Sequence, residues 1–179
     1  MSGHSHWSGI KRKKEITDNK RGKIFSKLLA LITAAAKTET NPDYNPRLRS
    51  AIEKARENNV PAENIERAIK KASENNQELE ELILEAYGPG GIAILMTAIT
   101  DNRNRTVAEV KSILTKNNGK WAESGSVLWA FEATTPARDE WNPKFTQEVA
   151  SEEDANKLDN LIDILEDYDD IQKVFINAQ

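Results

Sequence analysis

The stretch GPGGIAILMTAIT, residues 88–100, places a glycine-rich turn directly before an apolar run that is typical of a buried β-strand. A helix could hardly cross this turn, so the chain is expected to reverse there. Residues 81–87 mix apolar and acidic side chains and, taken alone, are ambiguous between helix and strand. Beside a strand over 92–99 they become its hairpin partner, and the sequence therefore predicts an antiparallel hairpin at this point.

Downstream of the hairpin, helical and strand patterns alternate. Apolar residues three and four positions apart indicate two helices, the first stopped by Gly119 and the second opened by a Ser151 cap. The order strand–helix–strand, loop, strand–helix–strand predicts a ferredoxin-like (split βαβ) antiparallel sheet with both helices on one face. The predicted helices cover 103–118 and 151–166, the strands 126–132, 144–149 and 171–176, and the loop 133–143.

Three helical patterns lie upstream of the hairpin. Apolar stripes and two proline starts indicate helices over 24–37, 46–57 and 61–72. Short connections between such helices are typical of a small helical bundle. The sequence thus predicts an α+β protein with a three-helix domain over 24–73, a linker over 74–80 and the ferredoxin-like domain over 81–179.

The first 23 residues, MSGHSHWSGIKRKKEITDNKRGK, show neither a helical nor a strand period. They carry seven lysines and arginines against two acids, together with an aromatic residue, Trp7. No apolar stripe could pack this segment onto a core, so we expect residues 1–23 to form a basic flexible arm, and a helical turn near residues 13–19 remains open. Such an arm suits nucleic acid, because its cations can neutralise phosphates and its ring can stack on a base.

The net charge of −4 conceals an asymmetry between the two halves of the chain. Residues 1–73 carry a net charge of +8, whereas residues 74–179 carry −12. This asymmetry favours a nucleic-acid-facing half joined to an acidic half. Charge alone leaves open a bipolar protein whose two halves attract each other.

The composition argues against several classes of protein. The chain has no cysteine, which excludes disulfides, a thiol nucleophile and cysteine-ligated metals. Its apolar runs, such as residues 92–96, are far shorter than the roughly 20 residues that a membrane helix needs. The N-terminal residues show no secretory signal. We therefore expect a soluble cytoplasmic protein with no membrane partner.

Catalytic chemistry has no evident place in the sequence. Both histidines, His4 and His6, lie in the arm, where nothing fixes their geometry. Two histidines on a flexible segment also make a weak metal site. The glycines of 88–91 join two strands rather than a strand and a helix, so we interpret them as a structural turn and not as a phosphate loop. We expect a non-enzymatic protein with no cofactor, no metal and no small-molecule substrate.

One acidic cluster has two interpretations. Glu166, Asp167, Asp169 and Asp170 lie at the end of the last predicted helix. The glycine and the ligand spacing of an EF-hand are absent, which favours a solvated acidic turn over a cation site. Negative charge at a helix C-terminus is unfavourable, and a cationic side chain nearby would relieve it.

Basic residues also share helix faces in the predicted helical domain. Residues four or seven positions apart lie on the same side of a helix. This places Arg47 with Lys54, Arg49 with Arg56, and Arg67 with Lys71. Together with the arm, they complete the predicted nucleic-acid-binding set: His4, His6, Trp7, Lys11, Arg12, Lys13, Lys14, Lys20, Arg21, Lys23, Arg47, Arg49, Lys54, Arg56, Arg67 and Lys71.

Five blocks of the sequence together resemble one known family. They are GHSHWSGIKRKKEITDNKRGKIFSKL (3–28), NPRLRSAIEKARENNVPAENIERAIKK (45–71), YGPGGIAIL (87–95), TDNRNRT (100–106) and LEDYDDIQKVFIN (165–177). In this order they closely resemble the YebC/PmpR family, which contains bacterial proteins usually named probable transcriptional regulatory proteins and a mitochondrial translational activator. The resemblance implies a non-enzymatic regulator of gene expression.

The resemblance also identifies a difference. Members of the family are commonly longer, with a third domain inserted between the strand that matches 126–132 and the segment that matches 141–149. Here only the loop ATTPARDE spans that gap, which predicts that this chain lacks the inserted domain. Because insertions at loops are tolerated, removing one from the central loop would leave the ferredoxin-like unit closed.

Two functions remain open within this resemblance. Members are described either as DNA-binding transcription factors or as ribosome-associated factors that help translation. The third helix begins with Ala62, Glu63 and Asn64, which suit base reading by a helix-turn-helix poorly, so ribosomal RNA is slightly favoured over DNA as the partner. The competing class is an acidic protein-interaction adaptor that does not bind nucleic acid directly.

Overall fold

The computed structural model describes residues 18–74 and 78–179. The chain divides into two compact units. Among the described residues, the unit that contains 18–74, 78–81 and 99–103 is called here the helical unit, and the one that contains 82–98 and 104–179 is called the α/β unit. No helix in the described ranges is long and apolar enough to cross a membrane.

Three helices build the helical unit: α1 (Asp18–Ala36), α2 (Pro46–Glu57) and α3 (Ala62–Ser73). Helix α1 packs against both of the others. Ile32 of α1, Leu48 of α2 and Ile65 of α3 meet in one apolar core. The apolar stripes predicted for α2 and α3 supply much of this core, so the local periodicity is sufficient to find these helices.

Asparagine residues mark both ends of α2. Asn45 is buried, and its Oδ1 accepts a hydrogen bond from the Leu48 N–H at 3.0 Å. Its amide donates to the carbonyls of Ala35 and Glu39 at 2.8 and 2.7 Å. After the helix, Asn59 adopts the left-handed conformation (φ 61°) that often ends a helix. One side chain, Asn45, therefore ties the end of α1 to the start of α2.

Six strands and two further helices follow along the chain. The strands are β1 (Glu80–Tyr87), β2 (Ala93–Thr100), β3 (Lys120–Ala122), β4 (Phe131–Ala133), β5 (Trp141–Pro143) and β6 (Ile171–Ile176). The helices are α4 (Arg103–Lys116) and α5 (Glu152–Asp167). Four strands form one sheet in the order β3–β1–β2–β6, and β4 and β5 form a separate two-stranded hairpin.

Both helices of the α/β unit cover the same face of the main sheet. Leu114 of α4 and Leu158 of α5 share one core with Leu84 of β1 and Ile94 of β2. Helix α4 connects β2 to β3 while β1 lies between these two strands, which gives a split βαβ connection. The predicted α+β class, with an antiparallel sheet and two helices on one face, is confirmed.

Two predicted strands differ from the structure. The prediction put a strand of the main sheet at 126–132, but the position beside β1 belongs to β3, with Glu85 opposite Ala122. Residues 128–130 instead form a 3₁₀ turn, and β4 pairs only with β5, so the predicted loop 133–143 includes parts of a hairpin. The strand predicted at 144–149 is reduced to a single bridge between Gln147 and Ala178.

The carboxylate of Glu85 accounts for the first of these differences. Glu85 is buried on β1, and its oxygens accept hydrogen bonds from the N–H groups of Gly125, Val127 and Leu128 at 2.6, 2.8 and 2.9 Å. Those donors are therefore not available for a strand ladder. The segment after β3 folds around one distant side chain, and such a contact leaves no periodic signal in the sequence.

The glycine-rich turn between β1 and β2 is structural, as predicted. Gly90 and Gly91 adopt positive φ angles of 76° and 74°, a conformation that favours glycine. At Gly88 a Cβ would lie 2.8 Å from the Leu158 side chain of α5. The turn thus combines two left-handed residues with a close approach of the helix that covers it.

The residues that end α4 have different roles from those predicted. The left-handed residue there is Asn118 (φ 62°), not Gly119. Gly119 is required for space instead, since a Cβ at this position would lie 2.8 Å from the Leu114 side chain and 3.0 Å from that of Leu161. Packing between α4 and α5, rather than backbone conformation, therefore explains the glycine.

Candidate nucleic-acid interface

The described part of the predicted interface lies entirely in the helical unit. Nine predicted residues lie on α1, α2 and α3. All nine are exposed or half-buried. The remaining seven lie outside the described residues: His4, His6, Trp7, Lys11, Arg12, Lys13 and Lys14.

Helix α1 begins earlier than predicted. The chain is helical from Asp18, the first described residue, so the prediction of a flexible arm is wrong for residues 18–23. Lysine and arginine are good helix formers, and the single Gly22 costs only about 1 kcal/mol relative to alanine. Lys20 and Arg21 are exposed on the first turns of α1, whereas Lys23 is half-buried.

Two predicted contacts on α2 are used within the protein. The Arg47 guanidinium forms an ion pair with Glu81, and only 25% of the Arg47 side chain is exposed. Arg49 donates hydrogen bonds to the backbone carbonyls of Pro42 and Asp43 at 3.0–3.2 Å. These bonds close the loop that precedes α2. Both arginines therefore have a structural role that spacing along a helix does not reveal.

The other two cations of α2 lie in its last turn. Arg56 is exposed and Lys54 is half-buried. Cations at this end of a helix interact favourably with the partial negative charge of the last carbonyls. Arg49 and Arg56 share a face of α2, as their spacing predicts, but only Arg49 is hydrogen-bonded to the loop that precedes the helix.

Arg67 and Lys71 are brought together on α3, as the sequence predicts. Arg67 has 63% of its side chain exposed and reaches the carboxylate of Glu63 at 3.3 Å and the side-chain oxygen of Asn64 at 3.1 Å. Exposed ion pairs of this kind contribute only about 0–1 kcal/mol. Arg67 can therefore exchange these partners for a phosphate at little cost.

A groove of about 400 Å³ runs between α1 and α3 beside these two cations. Helical spacing predicts the two cations but not the groove. The apolar stripe that the sequence predicts for α1 is Ile24, Leu28, Leu31, Ile32 and Ala35. Leu29 and Ala30 fall outside this stripe, and the wider apolar face that they form is the signal that could have found the groove. Residues that line the groove include Ser26, Leu29 and Ala30 of α1 and Asn64, Arg67 and Lys71 of α3.

Asp170, in the acidic cluster of the α/β unit, has a cationic partner. Asp170 accepts hydrogen bonds from Thr106 Oγ1 at 2.7 Å, Arg105 Nη2 at 3.1 Å and the Tyr168 hydroxyl at 3.2 Å. Burial would raise the pKa of Asp170, but these hydrogen bonds outweigh burial and hold the pKa below its ordinary value. Within the described ranges, no group of three or more His, Asp and Glu side chains could hold a metal ion.

An exposed aromatic pair in the α/β unit was not predicted. Trp129 and Phe145 are 63% and 57% exposed, and their ring centroids lie 5.6 Å apart. The Trp129 indole N–H donates to the carbonyl of Ser126 at 2.8 Å, so the ring presents mainly its apolar surface. Two exposed aromatic rings in contact are typical of a docking surface. Trp129 precedes β4 and Phe145 follows β5, so the β4–β5 hairpin brings together two rings that are distant in the sequence.

Comparison with known proteins identifies the family. Residues 5–75 match the TACO1/YebC protein N-terminal domain, and residues 79–137 and 132–178 match the TACO1/YebC second and third domain. The chain belongs to the TACO1/YebC family. This finding confirms the resemblance carried by the five sequence blocks. The two segments of the second match meet at residues 132–137, at the β4–β5 hairpin of this TACO1/YebC chain.

Curated bacterial relatives of this TACO1/YebC chain are named probable transcriptional regulatory protein. The relative from Chloroherpeton thalassium is 54% identical over 135 residues, which cover 74% of this chain and 54% of the relative. The one from Trichlorobacter lovleyi is 51% identical over 135 residues, with 74% and 55% covered. The chain thus spans about half the length of the curated relatives that it matches.

A solved structure shares the fold of this TACO1/YebC chain. The crystal structure of a conserved hypothetical protein from Aquifex aeolicus matches with a TM-score of 0.86 and 34% sequence identity. The match covers 98% of this chain and 97% of that chain. The α+β architecture described above is therefore also found in an experimentally determined structure.

Proposed function

We propose that this TACO1/YebC chain is a non-enzymatic, nucleic-acid-binding regulator of gene expression that acts in the cytoplasm. Its relatives are named probable transcriptional regulatory proteins, and regulation of that kind requires contact with a nucleic acid or with the machinery that reads it. The observation that carries the proposal is the net charge of +8 on residues 1–73. The predicted cations that the structure describes in this half lie at the surface of the helical unit, where they can reach phosphates.

RNA is the favoured partner, with DNA as the alternative. Helix α3 has Glu63 in its first turn, and a carboxylate there would repel DNA if α3 acted as the recognition helix of a helix-turn-helix. Trp7 can stack on an unpaired base in an RNA loop, whereas the bases of a DNA duplex are already stacked. A structured RNA such as ribosomal RNA therefore fits the residues better than duplex DNA does.

The salt dependence of binding tests this proposal. The full-length protein is titrated into a labelled RNA hairpin with a single-stranded loop and into duplex DNA of the same length, at several salt concentrations. The logarithm of the binding constant should fall linearly with the logarithm of the salt concentration, with a slope of about −0.7 to −0.9 per neutralised phosphate. Replacing the four arm cations by alanine should weaken this slope by about three: Lys11, Arg12, Lys13 and Lys14.

Two further variants make the titration specific. The control variant replaces the exposed lysines Lys116, Lys120 and Lys144 of the α/β unit by alanine, and its slope should stay that of the unmodified protein. Trp7→Ala removes a stacking platform worth about 1–3 kcal/mol and should lower the affinity for RNA with little change in slope. If Trp7→Ala loses the same affinity for RNA and for duplex DNA, DNA becomes the favoured partner. Weak binding of the unmodified protein that does not depend on salt would contradict nucleic-acid binding altogether.

The Trp129–Phe145 pair favours a second candidate, an acidic protein-interaction adaptor. The pair lies in the acidic half of the chain, so a protein partner with a basic and apolar surface would complement it. If the chain is an adaptor, Trp129→Ala should weaken binding of the protein partner, because it removes an exposed aromatic anchor. If the chain binds nucleic acid through its basic half, this variant should leave the affinity for RNA unchanged.

Crosslinking in cells, followed by sequencing of the bound nucleic acid, separates translation from transcription. Crosslinks concentrated in ribosomal RNA would indicate a ribosome-associated factor. Crosslinks concentrated at promoter DNA would indicate a transcriptional regulator. Crosslinks to neither would favour the adaptor.

A further inference from the structure

The groove between α1 and α3 has a chemistry that matches one part of a nucleic acid. Its volume of about 400 Å³ lies within the range of small-ligand pockets. Leu29 and Ala30 of α1, Ala68 of α3 and Leu79 supply apolar surface. An unstacked base can bury its flat face against such apolar side chains.

Polar groups around this apolar surface are suited to an anionic ligand. The Ser26 hydroxyl and the Asn64 side chain can form hydrogen bonds with the edge of a base or with a sugar. Arg67 and Lys71 lie one helical turn apart and can contact a phosphate. None of the described residues that line the groove is acidic.

The neighbouring cations of α3 are not equivalent. Lys70 lies 3.6 Å from the carboxylate of Glu74, as an i,i+4 ion pair. Lys71 lines the groove and has no ion-pair partner among the residues that the structure describes. An ammonium group beside an apolar groove and without a carboxylate partner is available for an incoming phosphate.

We propose that this groove binds one unpaired nucleotide of a single-stranded nucleic acid, with the base on the apolar surface and the phosphate at Arg67 and Lys71. The inference rests on the proposed nucleic-acid-binding function and adds to it the site at which a base is held. A duplex does not fit, because its bases are stacked and paired. The groove therefore selects unpaired segments, whereas the basic arm provides charge-based affinity for any polymer.

Filling the groove without changing its charge is the direct test. Ala30→Leu adds apolar volume inside the groove and keeps good helix propensity. Its affinity for a single-stranded RNA should fall about tenfold, with an unchanged salt slope, because the base loses its place while the phosphate contacts remain. Its affinity for duplex DNA should stay the same. The thermal unfolding of the variant shows whether the helical unit is intact.

Lys71→Ala and Lys70→Ala form the matched pair for the phosphate contact. Lys71→Ala should weaken the salt slope on single strands by about 0.7, whereas Lys70→Ala should leave it unchanged. Both are exposed positions, so this pair remains informative if Ala30→Leu fails to fold. Equal slopes for the two variants would overturn the proposed phosphate contact.

Single-stranded DNA of the same sequence identifies what the groove reads. Equal losses with RNA and DNA strands would assign binding to the base and phosphate, and a loss with RNA alone would add a contact to the 2′-hydroxyl. Ala30→Leu with unchanged single-strand affinity, or with the same loss on duplex DNA, would overturn the groove site. If the unmodified protein binds none of these polymers, the proposed function fails instead, which is a distinguishable result.

Discussion

The two units place their ionisable side chains differently. In the α/β unit, the carboxylates of Glu85 and Asp170 turn inward and accept hydrogen bonds that hold neighbouring segments. In the helical unit, the predicted cations remain exposed or half-buried. The difference teaches that the charge of a single side chain does not by itself indicate a binding contact. What matters is whether the protein already supplies the partner.

Replacing Glu85 should have the largest effect on stability. Glu85→Ala leaves three N–H groups at Gly125, Val127 and Leu128 without their acceptor. A buried donor left unsatisfied costs about 1–3 kcal/mol, and two of these groups are only partly buried, so we expect a total loss of about 3 kcal/mol. Urea-induced unfolding measures this loss.

Glu132→Ala is the control for Glu85, because Glu132 is an exposed acid on β4. Its effect should stay within about 0.5 kcal/mol. A similar loss for both variants would mean that the buried carboxylate has no special role in holding the segment after β3.

Asn45 is the counterpart in the helical unit and should have the second-largest effect. Asn45→Ala removes the cap of α2 and two hydrogen bonds to the carbonyls of Ala35 and Glu39. We expect a loss of about 2 kcal/mol in the free energy of unfolding, of which the cap alone accounts for about 1. Asn58→Ala removes one exposed hydrogen bond to the Lys54 carbonyl and should cost about 0.5 kcal/mol or less. Equal losses would contradict the structural role of Asn45.

Asp170 should have a smaller effect that depends on pH. Its folded-state pKa is lowered, so its stabilisation is present above the unfolded pKa of about 3.9 and is lost as pH falls through the folded value. Asp170→Asn should cost about 1–2 kcal/mol at pH 7, and this difference should shrink as pH falls below about 4. Thermal unfolding at several pH values measures it. A difference that is constant from pH 7 to pH 2 would show that the carboxylate charge is irrelevant.

The same contrast explains what the sequence could predict. The periodic stripes of α2 and α3 are local, and they place Leu48 and Ile65 in the core without knowledge of the rest of the fold. Strand β3 has only three residues and is defined by its position beside β1, where Tyr87 lies opposite Lys120. A segment that short carries no period, so its pairing cannot be read from the sequence.

The candidate interface was predictable to a similar extent. Helical spacing correctly brings Arg67 and Lys71 together, because it depends only on residues four positions apart. Spacing does not reveal that Arg47 meets Glu81, 34 positions away. The groove was missed for the same reason, since it requires α1 and α3 to be packed side by side.

Replacing Arg49 or Arg67 should have the smallest effects on stability. These two arginines nevertheless give the most selective test of the difference between structural and available cations, because the sequence assigns both to the same surface. Arg49→Gln removes hydrogen bonds to the carbonyls of Pro42 and Asp43 and should lower the free energy of unfolding by about 1 kcal/mol. Arg67→Gln removes only exposed contacts and should change it by less than about 0.5 kcal/mol.

Binding should show the reverse order for these two arginines. Arg67→Gln removes a cation that is free to exchange partners, so it should weaken the salt slope of RNA binding by about 0.7. Arg49→Gln should leave the slope unchanged, since the Arg49 guanidinium already donates to backbone carbonyls. Because glutamine replaces both arginines, the loss of charge is the same and only the local structure differs. Equal changes in slope would show that the surface acts through net charge alone, and the distinction between structural and available cations would then be wrong.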